Sequence, residues 1–258
     1  MWAGCSLWLL GYPNEAKKRS QQALVLAHEV AHPFSSVIAL VLAAIVSQYR
    51  HDVPATHNYG RKMAELSAEQ GFSFFQAWGN LLQGWALSQL GQKSNGLKLM
   101  HDGLTALRLT GGKIWQSFWL ALLAEVCAAA GETDQAMESI AQALMHAEQT
   151  GERFYEAELY RLKAELILKR SSRPDVEASF KEAEGTLRHA IEIARRQQGK
   201  SLELRATISL ARFLAQHDRR DEARTMLDGI YSWFTEGFDT ADLKDAKVLL
   251  DELSMHTE

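Results

Sequence analysis

Apolar residues recur along this chain at helical spacing, in runs separated by regular stops. Gly71, Gly91, Gly111, Gly131 and Gly151 fall at steps of twenty residues. Glycine is favoured just past a helix end because it takes the left-handed backbone without strain. Between these stops lie four runs of helix length, about 73–90, 94–109, 114–130 and 133–150. Before them the pattern predicts an apolar opening segment to Leu10, then helices over about 13–31, 34–50 and 54–70. After them it predicts helices over about 154–169, 175–198, 201–216, 221–234 and 240–253, with a longer turn at Ser171-Ser172-Arg173-Pro174. Leu243, Val248, Leu249 and Leu253 form a stripe on the last of these, as expected of a helix capping a stack. Sequential helices cut to one length pair into hairpins, and a fixed period in this range marks a helical solenoid. The expected fold is all-α, with hairpins at about 1–32, 33–71, 72–111, 112–151, 152–199 and 200–237 and a cap at 238–258.

Small residues recur inside these hairpins. Around 117–150 they are Ala124 at the helix crossing, Gly131 at the turn, then Ala136 and Ala143. Around 204–237 they are Ala211 and Ala223, and around 77–110 Gly84, Gly91, Gly96 and Gly103. This spacing resembles the tetratricopeptide repeat, although hairpins of about forty residues exceed the motif's 34 or so. The resemblance implies a right-handed superhelix. The longer form looks like the sensor solenoids of large bacterial regulators, such as the maltose activator.

The segments 151–166, 194–214 and 231–250 are similar to the tail of bacterial multidomain proteins. Those join an adenylate/guanylate cyclase or a LuxR-type DNA-binding domain to a P-loop ATPase and a repeat array. Aligning Gly4 with the crossing residue puts Met1 at the fifth position of a repeat, so the resemblance implies the tail of a longer protein. No G-x-x-x-x-G-K-[ST] loop is present, and no catalytic residue carries over.

The 258 residues carry a net charge of −4 and no basic stripe, which argues against direct nucleic-acid binding. Residues 1–128 hold 10 Lys/Arg and 7 Asp/Glu, and the remainder 18 and 25. The longest apolar run, Val37 to Val46, is half a membrane span. Cys5 and Cys127 have no metal spacing and read as buried thiols of a cytoplasmic protein. His28-Glu29-Val30-Ala31-His32 matches the H-E-x-x-H zinc-hydrolase pattern, which needs both histidines on one helical face. His32 stands directly before Pro33, at a helix end, and no third ligand follows, so the expectation is neither metal nor cofactor.

Binding is therefore the expected work. In tetratricopeptide folds the first helix of each hairpin lines a concave groove. The alignment puts Gln48, Tyr49, Trp78, Trp85, Gln89, Phe118 and Glu125 on that wall, then Glu158, Arg161, Glu165, Lys169, Arg205 and Arg212. Aromatic anchors beside charge suit a protein or peptide partner, and they equally suit a small polar ligand. The same tryptophans also read as core packing, and Glu158, Arg161, Glu165 and Lys169 as a solvated, self-paired helix face.

Overall fold

The computed structural model describes residues 2–170 and 176–255. Among these residues the chain forms thirteen α-helices. They are α1 (Trp2–Leu9), α2 (Pro13–Val30), α3 (Pro33–Tyr49), α4 (Val53–Glu69), α5 (Ser73–Gln89), α6 (Lys93–Leu109) and α7 (Gln116–Ala130). There follow α8 (Thr133–Thr150), α9 (Glu156–Arg170), α10 (Val176–Arg196), α11 (Lys200–Ala215), α12 (Arg220–Tyr231) and α13 (Ala241–Ser254). The turn expected at 171–174 lies outside the described residues.

Each helix packs on its sequence neighbour, and each odd-numbered helix packs on the next odd-numbered one; the backbones of the even-numbered helices stay apart, with α10 and α12 joined by the Arg188–Glu222 ion pair at 2.7 Å. The odd helices thus form an inner layer and the even helices an outer one. This layering explains why α3 and α7 are apolar almost all round: each meets its own hairpin partner and the odd helices on either side.

The stops explain the common length. All five glycines at twenty-residue steps have φ between 72° and 92°. Gly131 shows the mechanism: it caps α7 at φ 92°, where a side chain would be strained. The same period runs back to Gly11, Ala31 and His51, at φ 95°, 52° and 53°. Trp115 also has positive φ, at 61°, and it holds back the start of α7. Glu152, from the turn beyond α8, accepts from the Trp115 N–H at 2.6 Å and the Ser117 N–H at 3.0 Å. It thereby satisfies the first amides of α7 in place of a local cap.

Small residues let the helices close up. A Cβ on Gly79 would stand 2.7 Å from the Gly60 carbonyl of α4, and one on Gly96 would stand 2.6 Å from the Gly84 carbonyl of α5. Ala124, Ala136, Ala143, Ala211 and Ala223 are buried. On α13 the buried stripe is Leu243, Ala246, Leu249, Leu250 and Leu253; Val248, expected on it, is 56% exposed.

The solenoid also turns back on itself. The Ser201 hydroxyl of α11 donates to the Trp8 carbonyl of α1 at 2.5 Å. Glu236 accepts from the Asn14 and Glu15 amides that open α2, at 2.9 and 3.2 Å. Arg50 donates to the Pro13 carbonyl at 2.7 Å and to Asp239 at 3.0 Å. The accessible surface is 12360 Å². That is about 9% more than the ~11,400 Å² expected of a globular monomer of 28.9 kDa.

Candidate functional site

The inner wall is built by the odd helices, and closure decides what it exposes. Gln48, Tyr49, Trp78, Trp85, Phe118, Glu158 and Arg205 are at most 5% exposed. Glu125, Arg161 and Glu165 are partly exposed, and Gln89, Lys169 and Arg212 are exposed. The wall therefore runs from a buried aromatic interior, through a polar mouth, to solvent.

Tyr49 is central to the aromatic part. It stacks on Trp8 at 4.5 Å between ring centroids, meets Phe118 edge-on at 5.7 Å and lies parallel to Tyr155 at 6.1 Å. Trp78 belongs to a neighbouring cluster with Trp115 and Trp119, which Phe118 joins to the first. Such contacts favour burial beyond the area they remove from water. Burial pushes the Tyr49 and Tyr155 phenols well above their ordinary range, so both stay protonated.

The polar part is the Trp85–Glu125 pair and, beside it, a network joining Arg161, Glu158, Glu165, Ser209, Arg205, Asp242 and His51. Trp85 Nε1 donates to Glu125 Oε2 at 2.7 Å. Arg161 donates to both oxygens of Glu158, at 3.0 and 2.8 Å, and to Glu165 at 2.6 Å. The Ser209 hydroxyl of α11 joins Glu165 at 2.8 Å. Arg205 donates to Asp242 at 3.0 Å and to the Tyr49 carbonyl at 2.6 Å, and it stands 3.1 Å from His51 Nδ1. His51 Nδ1 is also 3.3 Å from Asp242.

The carboxyl groups divide by their partners. Burial raises Glu125, and the opposing effects of His51 and the Trp85 hydrogen bond do not cancel it. Burial also acts to raise Glu158, yet Arg161 and Arg205 outweigh it and the group ends below its ordinary value. Asp242 is likewise desolvated but is held well below the usual carboxylate range by Arg205 and His51.

Gln89 and Lys169 stand apart from this network, and Arg212 pairs with Asp245 at the surface. Sequence reasoning missed Trp8, His51, Tyr155, Ser209 and Asp242 as wall residues. His51 carried one usable signal, its place in the twenty-residue series of stops. Asp242 lies on the helix read as a cap, with one face expected in water, and it turns inward instead.

The H-E-x-x-H segment does not form a helical pair. His28 lies in the last turn of α2, Ala31 takes φ 52° and His32 is the N-cap of α3, so the two histidines do not share a helix. No group of three or more His, Cys, Asp or Glu among the described residues is placed to hold a metal. Cys5 and Cys127 are buried, and burial pushes both thiols up to about 12. No described helix is long and apolar enough to cross a membrane.

No protein-family model matches the chain. An uncharacterized protein of Rhizobium meliloti (strain 1021) is 27% identical over 205 residues, covering 80% of this chain and 19% of the relative. The chain thus spans about a fifth of that relative's length. The TPR2AB domain of yeast Sti1, in its pHSP90 complex, superposes with a TM-score of 0.41 at 15% identity, over 97% of this chain and 95% of that one. A Podosopora anserina chain of nearly identical TPR-like repeats superposes with a TM-score of 0.50 at 15% identity, over 87% of this chain and 99% of that one. That likeness is one of fold, and with the two-layered helical stack it makes this chain an all-α solenoid of TPR-like repeats.

Proposed function

We propose that this chain is a non-catalytic binding module whose inner wall takes a protein or peptide partner. The observation that carries the reading is the convergence of five odd helices on one wall, where Tyr49, Trp85 and Phe118 stand beside Glu125, Glu158, Arg161 and Arg205. A convergent set of aromatic and charged groups on a rigid scaffold is the usual makeup of a binding hot spot. The finer role is signal transduction in the cytoplasm, as the sensing part of a longer cyclase–ATPase or LuxR-type protein. It is supported by the resemblance of the three C-terminal segments.

One observation favours a small-ligand sensor as the second reading. The aromatic interior is closed, which leaves the partly exposed groups Glu125, Arg161 and Glu165 as a small polar patch, of a size that suits a compact ligand better than a long peptide. Titration of the intact chain with peptides and metabolites, followed by tryptophan fluorescence, separates the two. Trp78→Ala and Trp85→Ala are poor tests, because emptying a buried tryptophan site costs about 3–5 kcal/mol of stability by itself. Glu125→Gln and Lys169→Ala keep the core filled. The module reading expects them to weaken binding, and unchanged binding in both contradicts the assignment of the wall.

A further inference from the structure

We infer that Arg205 is an internal occupant of a cation subsite on the inner wall, and that a partner enters by presenting a basic side chain that takes its place. This inference rests on the binding-module reading and adds to it the chemistry of the partner and the gate it must pass.

The subsite lies on α1, the end of α3 and α9. Its floor is the Trp8 ring, with the Arg205 guanidinium carbon 4.7 Å from the centroid. Its sides are the Tyr49 carbonyl at 2.6 Å, His51 Nδ1 at 3.1 Å and the Glu158 carboxylate at 3.7 Å. An aromatic face, a carbonyl and a carboxylate together form a setting for guanidinium or ammonium. The group that fills it comes from α11, 154 positions beyond His51 and 156 beyond Tyr49. Within α11–α13 Arg205 keeps its own counter-ion, Asp242, so it can leave the subsite without becoming an unpaired charge.

Three further observations mark this seam as able to part. First, the apolar core is divided. One cluster runs from α1 to α9 and takes in Ile193, Ala194 and Leu202, while the other holds the end of α9 and most of α10–α13. The ends meet mainly through polar contacts of Arg50, Ser201, Arg205, Glu236 and Asp239, the last 62% exposed, together with the Tyr12 and Trp233 rings at 5.8 Å and the close approach of Gly11 to Trp233 and of Gly237 to Pro13. Solenoid hairpins are held mainly by their neighbours, so releasing these end contacts leaves both arms intact. Second, the Gln48 amide, the Tyr49 hydroxyl, the Thr207 hydroxyl and Arg205 Nη1 are buried without a hydrogen-bond partner. A polar interface left partly unsatisfied gives up little when it opens. Third, His51 takes φ 53° at one of the two stops in the twenty-residue series, with Ala31, that are not glycine. Strain at a non-glycine position persists where surrounding contacts hold it, and here those contacts are Arg205 and Asp242.

The test places spin labels on Lys17→Cys and Lys244→Cys, exposed positions on α2 and α13, while the native thiols stay buried. Distance distributions are recorded with and without an acetylated di-arginine amide, and with a di-glutamate control. The double variant Glu236→Gln/Asp239→Asn loosens the seam from its solvent side; His51→Gly loosens it from within and relieves the backbone. Both should shift population to longer distances with helical ellipticity retained. The double variant, which keeps every side of the subsite, should bind the di-arginine probe about tenfold more tightly than the parent, since affinity follows the open fraction. The di-glutamate control should not bind. One unchanged distance in all variants overturns the inference, as does opening without preference for the basic probe, or opening with loss of helix. A partner that binds the parent without any distance change would sustain the module reading and overturn this one.

Discussion

The same glycine-to-alanine substitution should have opposite effects at two helical positions. On α10, Gly185 is exposed, and a Cβ there would meet nothing within 4 Å. Alanine should stabilise the chain by about 0.5–1 kcal/mol, through the lower entropy of the unfolded backbone. On α6, Gly96 gains the same amount, but its Cβ would stand 2.6 Å from the Gly84 carbonyl and 2.8 Å from the Ser88 amide nitrogen. Both atoms belong to the α5 backbone and cannot rotate away. Relieving the contact means moving α6 off α5 by roughly 0.5–1 Å, and overpacking of this kind costs about 1–3 kcal/mol. The movement also loosens Met100 and Leu104 from the core, where dense packing leaves no slack. Gly96→Ala should therefore destabilise by about 1–2 kcal/mol net while Gly185→Ala stabilises. Urea unfolding, followed by far-UV ellipticity and by tryptophan fluorescence, measures both. Two shifts of the same sign, or a Gly96→Ala chain more stable than the parent, would refute the close-approach argument.

The carboxyl groups of the wall give predictions with opposite signs. Glu125 is raised by burial, so its contribution to stability is greatest below the unfolded value of about 4.3 and falls as pH rises toward the folded value. Glu125→Gln keeps an acceptor for Trp85 and should raise the midpoint of thermal unfolding at pH 7 but not at pH 4. Asp242 is held low, chiefly by Arg205 against the effect of burial, so its contribution is present above about pH 4 and is lost as pH falls through the folded value. Asp242→Asn should cost about 3 kcal/mol at pH 7 and flatten the acid limb of the stability profile; acid unfolding monitored by ellipticity checks this. His28→Ala and His32→Ala are surface changes and should alter stability by less than about 0.5 kcal/mol, with no change in zinc content by metal analysis.

How much of this was legible in sequence follows from the physical signals involved. The helices from α5 to α8 were readable because glycine marks each stop, and the hairpin cores because alanine and glycine recur where helices cross. The stops at Ala31 and His51 were readable as helix ends from the pattern around them, but their positive φ was not, since nothing in those residues announces it. The start of α7 shifted because Trp115 takes that conformation and Glu152, from a later turn, supplies the cap. The wall was partly readable, through the aromatic positions on the odd helices. Its burial was not, because it depends on the ends meeting. Contacts such as Arg205 with the Tyr49 carbonyl join residues 156 positions apart and leave no periodic trace. Val248 shows the same limit on a smaller scale: the stripe on α13 was right in kind, but which residues face inward depends on the surface it packs against.

The burial of the inner wall depends on the solenoid being closed. Small-angle X-ray scattering on the intact chain tests this most directly. A closed chain of 258 residues should give a radius of gyration near 18 Å, roughly the value for a globular domain of that length. A value several ångströms larger, with the scattering profile of an elongated particle, would contradict it.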